Sequence, residues 1–423
     1  MTNVSPPERC TNWQLQLASA ILLLCLLGCG SGCGPVNPPA AAQKVQTHQH
    51  VYIWQRVWRP AHAQALQQSQ ADFSQLRVLS LQFHFSSNGP LWSHAAPDWA
   101  LLALDQRPVT LVVRLDGQLS QLPDAAVVWQ QLQSQIEAAQ QAGVTISAIE
   151  MDYDAARAAL APYRQWLQAL RQQMPASLSL QITALPDWLQ SEHYPALCQV
   201  ADQLTLQLHS VLSPSQGLFD SGKAKLWAQS AATKTPCPLF LALPAYHSAL
   251  ITTADGGRVE SETLLPIAGE RQALLSRPEA VADFLSWLRT QSLPQLKGIV
   301  WFRLPLPDDQ RSWPLPTLLA LARGEALAAK LHTELQPEQG RFDIVLRNSG
   351  NLSAQLPDKL SFRGLQCLGG DAQHGYQWQQ QDSDWYLQRK QTMADTTEVA
   401  PQQAQTIAWL RCQQLQSINP TTD

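Results

Sequence analysis

ISAIEMDYD, residues 146–154, ends with an acid at every second position: Glu150, Asp152 and Asp154, separated by Met151 and Tyr153. A period of two is the period of a β-strand, whose successive side chains point to opposite faces. The three acids therefore share one face and the apolar residues the other. Such a strand belongs in a fold that buries one face against apolar neighbours and turns the other toward something polar.

The same alternation recurs along the chain. Strand candidates are HVYIWQRVW (50–58), LRVLSLQFHF (76–85), VTLVVRLDG (109–117), LSLQITALP (178–186), QLTLQLHS (203–210), PLFLALPAY (238–246) and KGIVWFRLP (297–305). Between them lie helical spacings: Trp129, Leu132, Ile136 and Ala139; Leu160, Tyr163, Leu167 and Leu170; Val281, Phe284, Leu285 and Leu288. Eight such units between residues 50 and 326 predict an α/β protein built as a (β/α)8 TIM-type barrel. An open doubly wound sheet is the rival, but no GxGxxG follows the first strand. From 330 to 423 the pattern becomes alternating strands with Asn/Gly turns, as in FDIVLRNSGNLSAQLPDKLSF, YQWQQQDSDWYLQRK and TIAWLRCQQLQ. A small C-terminal β-sandwich is expected there.

Strand parity sorts the barrel residues. Tyr52, Trp54 and Arg56 share a face, as do Gln82 and His84, Arg114 and Asp116, Gln181 and Thr183, Gln207 and His209, and Trp301 and Arg303; Tyr246 ends the seventh strand. The opposite parity is apolar: Leu81, Phe83, Leu111, Val113, Leu115, Leu241, Leu243, Val300 and Phe302. In a barrel the apolar set faces the helices, so the polar set lines the axis and reaches the C-terminal mouth. Burying so much polarity is costly unless it is paired or serves a ligand. One reading is a self-neutralising network of Arg56, Arg114 and Arg303 with the acids. The other is a ligand site.

The acidic row resembles the Asp-x-Asp-x-Glu strand end of chitinase-like glycoside hydrolases. By that resemblance Glu150, Asp152 and Asp154 are the catalytic candidates, with Asp154 in the place of the general acid and one methylene shorter than Glu. The eighth strand is also similar to theirs, which implies Trp301 as the floor of a sugar site. Over residues 50–325 the runs VYIWQRVW, LVVRLDG, YRQWLQALR, LSLQITALPDWL, LQLHS, LALPAY and GIVWFRLP resemble an uncharacterised bacterial family, domain of unknown function 3142, which implies no established activity. Substrate-binding candidates are Trp54, Arg56, His84, Arg114, Asp116, Gln207, His209, Tyr246, Trp301 and Arg303. The long segments 210–227 and 247–278, which follow the sixth and seventh strands, read as loops at the mouth.

Residues 1–28 read as a signal peptide: the apolar run LQLASAILLLCLLG (15–28) is short for a membrane span. Leu26-Leu27-Gly28-Cys29 looks like a bacterial lipobox, with Cys29 the lipidated residue; 29–49 is a tether, and THQH (47–50) an inert His-containing linker. A lipid-anchored protein outside the cytoplasm, with the outer membrane favoured, follows from that. Its compartment is oxidising. The pairs Cys198–Cys237 and Cys367–Cys412 are expected as disulfides.

Charged residues make up 15% of the chain and its net charge is −4, which gives no electrostatic reason for nucleic-acid binding. No CxxC or His/Cys spacing points to a metal, nothing points to a cofactor, and no GxSxG points to an esterase. His84 and His209 are read as polar core histidines rather than ligands to a metal. The expectation is a monomeric, lipid-anchored, glycoside-hydrolase-like barrel that takes a glycan or another polar small ligand. The alternative is a non-catalytic glycan-binding or structural envelope lipoprotein.

Overall fold

The computed structural model describes residues 48–423 apart from 87, 88, 118, 120, 211–213, 254, 255, 261–267, 383, 391–396, 419, 420 and 423. The expected signal peptide, Cys29 and nearly all of the tether lie outside the described residues. No described helix is long and apolar enough to cross a membrane.

Eight parallel strands close into a barrel: β1 (His48–Ile53), β2 (Gln75–Ser86), β4 (Val109–Leu115), β5 (Ile146–Tyr153), β6 (Ser179–Ala184), β7 (Gln203–Gln207), β8 (Leu239–Pro244) and β12 (Leu296–Phe302). β1 pairs with both β12 and β2, which closes the ring. β3 (Gly89–His94) folds back on β2 as a hairpin, and β9 (Ser248–Thr253), β10 (Gly256–Glu260) and β11 (Glu270–Leu274) form a separate antiparallel sheet inside segment 247–278. The described part of that segment is therefore largely strand rather than irregular loop. The linker reading of THQH is also corrected: His48 starts β1, and His50 is buried against Phe240.

The helices are α1 (Pro60–Gln68), α2 (Trp99–Asp105), α3 (Ala125–Gln141), α4 (Leu160–Gln173), α5 (Ser221–Lys234), α6 (Pro278–Leu288) and α7 (Leu315–Arg323). Asp98, Asp124 and Asp220 cap α2, α3 and α5, each accepting a backbone N–H of the first turn. Between β6 and β7 the helix is replaced by two 3-10 turns that start at Pro186 and Pro195, residues suited to the first turn of a helix and not its interior. The outer core packs Leu111, Val113, Ile149, Met151, Leu241 and Leu243 of the strands against Leu132, Leu160, Tyr163, Leu167, Phe284 and Leu288 of the helices.

The C-terminal part is a two-sheet β-sandwich. One sheet holds Leu331–Glu338, Arg341–Asn348, Gly369–Ala372, Ala404–Arg411 and Thr421–Thr422; the other holds Lys359–Leu365, Tyr376–Gln381, Asp384–Arg389 and Gln414–Ser417. Leu346, Ile407 and Leu410 of the first meet Leu360, Phe362 and Leu387 of the second in one core. Asn351 joins barrel to sandwich: its Oδ1 accepts from the Ala328 N–H at 2.7 Å, and its carbonyl accepts from the Thr317 hydroxyl at 2.6 Å. Both expected disulfides are present.

Gly298 lets β12 approach its neighbours closely. A Cβ there would lie 2.3 Å from the His48 carbonyl oxygen and 2.4 Å from the Phe240 ring. Gly298→Ala is expected to lose ~1–3 kcal/mol through this overpacking, read as a lower urea midpoint with an unchanged slope. Removing the bridge that spans 45 residues (Cys367→Ser/Cys412→Ser) is expected to cost about 2–4 kcal/mol in the same assay.

Candidate functional site

The barrel interior has two unlike sides. β8, β12 and β1 contribute Phe240, Ala242, Val300, Phe302, Tyr52 and Trp54, an apolar cluster joined by Leu79 and Val112. β4 to β7 contribute Arg114, Glu150, Asp152, Gln181, Thr183, Thr205 and Gln207.

At mid-height Arg77 and Glu150 form an ion pair with no solvent exposure, Nη1 to Oε2 at 2.5 Å. Arg77 Nη1 also donates to the Thr205 hydroxyl at 2.8 Å, and Nη2 lies 3.3 Å from His50 Nδ1. Glu150 accepts from the Tyr52 and Thr183 hydroxyls, the latter at 3.0 Å. Burial, reinforced by the Glu150 charge, raises the Tyr52 phenol well above its ordinary range, so it stays a donor. Burial, with Arg77 beside it, keeps His50 neutral far below the usual histidine range. Burial works against the Arg77 charge, but Glu150 outweighs it and raises the guanidinium further. Glu150 thus has no solvent-exposed surface and is engaged on both oxygens inside the barrel.

One step up, Arg114 bridges the other two acids. Its Nη1 donates to Asp152 Oδ2 at 2.8 Å and its Nη2 to Asp154 Oδ2 at 2.5 Å. Gln207 Nε2 approaches Asp152 Oδ1 at 3.4 Å. Asp152 is buried and Asp154 partly exposed. Burial pushes the Asp152 carboxyl up to about 6; Arg114 opposes that rise, and Asp154 adds to it. Gly117 fits this end of β5 tightly, since a Cβ there would lie 2.5 Å from the Asp154 carbonyl oxygen.

Around the acids stand Tyr246, Phe302 and His209. Tyr246 and Phe302 rings meet at 5.1 Å, and His209 lies 5.8 Å from the first and 5.9 Å from the second. Trp54 packs on Phe302 at 4.8 Å and is only 8% exposed, so it belongs to the wall more than to an open platform. Arg56 donates through Nη2 to the Gln82 side-chain Oε1 at 2.6 Å, and Asp116 follows β4 with its N–H on the Phe83 backbone carbonyl. His84 follows Gln82 on β2, partly exposed, with a buried Nδ1.

Two expected residues lie elsewhere. Trp301 pairs in register with Val51, an outward residue, so it faces the helices. It has no exposure and its indole N–H donates to Gln49 at 2.7 Å. Val300 and Phe302 take the inward places that parity gave to Trp301 and Arg303. Arg303 is buried and bonds Asp309 at 2.6 Å instead of the acids of β5. Parity also missed Arg77. Ser80 is an extra residue between Leu79 and Leu81, so Arg77 and Gln82 face inward although five positions separate them. The lone charge in LRVLSL was the available signal.

A groove of about 400 Å³, lined by Glu192, Pro195, Gln199 and Pro236, lies beside the Cys198–Cys237 bridge near the starts of β7 and β8. It is at the end of the barrel opposite the acids and holds none of these side chains. Among the described residues no group of three or more His, Cys, Asp or Glu is arranged to hold a metal ion.

Two outcomes test this electrostatic layout. Arg77→Met leaves Glu150 buried without its cation and is expected to cost ~3–5 kcal/mol, while Arg77→Met/Glu150→Gln recovers most of that loss. The Asp152 carboxyl binds its proton more tightly folded than unfolded, so stability falls as pH rises between about 4 and 6. The fall is up to about 3 kcal/mol, and Asp152→Asn flattens it in urea titrations at pH 4, 5 and 6.5.

No curated protein matches the sequence. Among solved structures, the spore cortex-lytic enzyme SleL of Bacillus cereus is similar at 13% identity and a TM-score of 0.46, over 66% of this chain and 74% of that one. A chitinase from Chromobacterium violaceum is similar at 15% identity and a TM-score of 0.44, over 66% and 98%. A class V chitinase from Pseudomonas fluorescens Pf-5 is similar at 11% identity and a TM-score of 0.45, over 66% and 99%. Residues 331–413 match a second family model, domain of unknown function DUF8456. Residues 105–307, the greater part of the barrel, match the model described as domain of unknown function DUF3142.

Proposed function

We propose that the barrel mouth binds a glycan and that the chain is held at the cell envelope, outside the cytoplasm, by a lipid on Cys29. One observation carries the glycan reading: a carboxyl pair sharing a single guanidinium stands beside a wall of aromatic rings. Sugars offer hydroxyl edges and apolar C–H faces. Carboxyl and amide groups hold the first, and rings cover the second. Asp152, Asp154, Gln207 and His209 supply the polar contacts in this reading, and Tyr246 and Phe302 the apolar ones. The lipid anchor rests on Leu26-Leu27-Gly28-Cys29 and the apolar run before it.

Hydrolysis is the second reading, favoured by Asp152. An acid raised to about 6 still carries its proton in a useful fraction of molecules near neutral pH and can protonate a leaving oxygen. Asp152, not Asp154, then supplies the proton, since Asp152 is the buried member of the pair and its carboxyl is the raised one. Binding is placed first because both carboxylates are already engaged.

The test compares the full chain in detergent with its Asp152→Asn/Asp154→Asn variant. Peptidoglycan fragments, chitooligosaccharides and exopolysaccharides are offered, and binding heat and new reducing ends are followed. Binding heat with at least one glycan, weakened about tenfold or more in the variant, is the expected result. Reducing ends released by the native chain alone would establish the hydrolytic reading. Neither signal on any glycan sinks the proposal. Radiolabelled palmitate should enter the wild-type chain in a lipoprotein-processing host and be lost in Cys29→Ala.

A further inference from the structure

We infer that His209 is the specificity-determining residue of the mouth, a hydrogen-bonding group that matches it to uncharged, hydroxyl- or amide-bearing sugars rather than acidic ones. The inference rests on the glycan reading above. His209 follows β7 at the meeting point of the two sides of the barrel, two residues beyond Gln207 and against the Tyr246 and Phe302 rings. Its Nδ1 is shut off from solvent and has no hydrogen-bond partner among the described residues. A buried nitrogen in that state costs roughly 1–3 kcal/mol, which a ligand relieves by pairing with it. The residue as a whole is partly exposed, and a half-turn about χ2 exchanges the places of Nδ1 and Cδ2.

Three features decide the ligand's charge. Burial, with Arg114 nearby and against the pull of Asp154, lowers the imidazole to about 4, so near neutrality it adds no positive charge. A neutral imidazole donates at one nitrogen and accepts at the other, which suits a hydroxyl or an amide. Arg114 is already bonded to two carboxylates, and Arg56 to the Gln82 side-chain Oε1. An acidic sugar would bring a further negative charge to a pair of carboxyls that already share the one cation of Arg114.

The test uses the full chain in detergent at pH 7 with three hexasaccharide probes: β-1,4-glucan, β-1,4-linked N-acetylglucosamine and galacturonic acid. His209→Phe keeps the ring and removes the nitrogen; His209→Asn restores a nitrogen near the Nδ1 position. Wild type is expected to bind at least one neutral probe and the uronate at least tenfold more weakly. His209→Phe should lose about tenfold or more on the neutral probe, and His209→Asn should recover part of it. Equal binding by His209→Phe, no recovery in His209→Asn, or uronate binding as tight as neutral overturns the inference while leaving the glycan reading in place. Wild type that binds none of these probes overturns the inference; if it also binds nothing in the wider glycan panel above, the glycan reading falls with it.

Discussion

An arginine and a glutamate with no solvent exposure, Arg77 and Glu150, face each other across the barrel axis, and the other interior residues are arranged around them. Taking two such ions out of water costs several kcal/mol each unless nearly every polar atom finds a partner. Five strands supply those partners: Arg77 comes from β2, Tyr52 and His50 from β1, Glu150 from β5, Thr183 from β6 and Thr205 from β7. Sliding any of these strands by one residue would turn a partner out to the helices and leave a charge stranded. The pair therefore sets the relative height of more than half the barrel.

That height places the mouth. Two residues beyond Glu150, Asp152 rises about 6–7 Å along the strand, into reach of Arg114 on β4 and Gln207 on β7. Asp154 lies two residues further, where the strand has ended and solvent enters. A uniform rule, one acid every second residue, thus meets three environments: sealed, buried near the rim, and open. The burial that seals the lower acid also raises the carboxyl of the middle one.

The barrel, the sandwich and both disulfides were legible because alternating hydrophobicity is written by burial on one face, and burial is the dominant local constraint. The common face of Glu150, Asp152 and Asp154 was legible for the same reason. What failed were places where that rule has no purchase. The bulge at Ser80 changes parity inside a single strand, so Arg77 was hidden. Trp301 is amphipathic, and its indole N–H found Gln49 on the helix-facing side, so its polarity did not report its direction. The apolar sector of β8, β12 and β1 runs against an interior lined wholly by polar groups: neighbouring strands there agree with one another in being apolar. The sheet of β9, β10 and β11 is short and two-sided, and its alternation is too brief to stand out.

Charge arithmetic at the mouth argues for the middle acid as the site's variable group. Arg114 carries one positive charge and touches two carboxylates. If both are ionised, the trio is left with a net negative charge in a region half closed to water. A second cation would cancel it, but Arg77 is committed one layer below and Arg303 to Asp309. A proton is the cheaper remedy, and it settles where desolvation is greater. That place is Asp152, the buried one of the two carboxyls. The raised carboxyl thus lies one step inward along β5 from the partly exposed end of the row. There it faces Gln207.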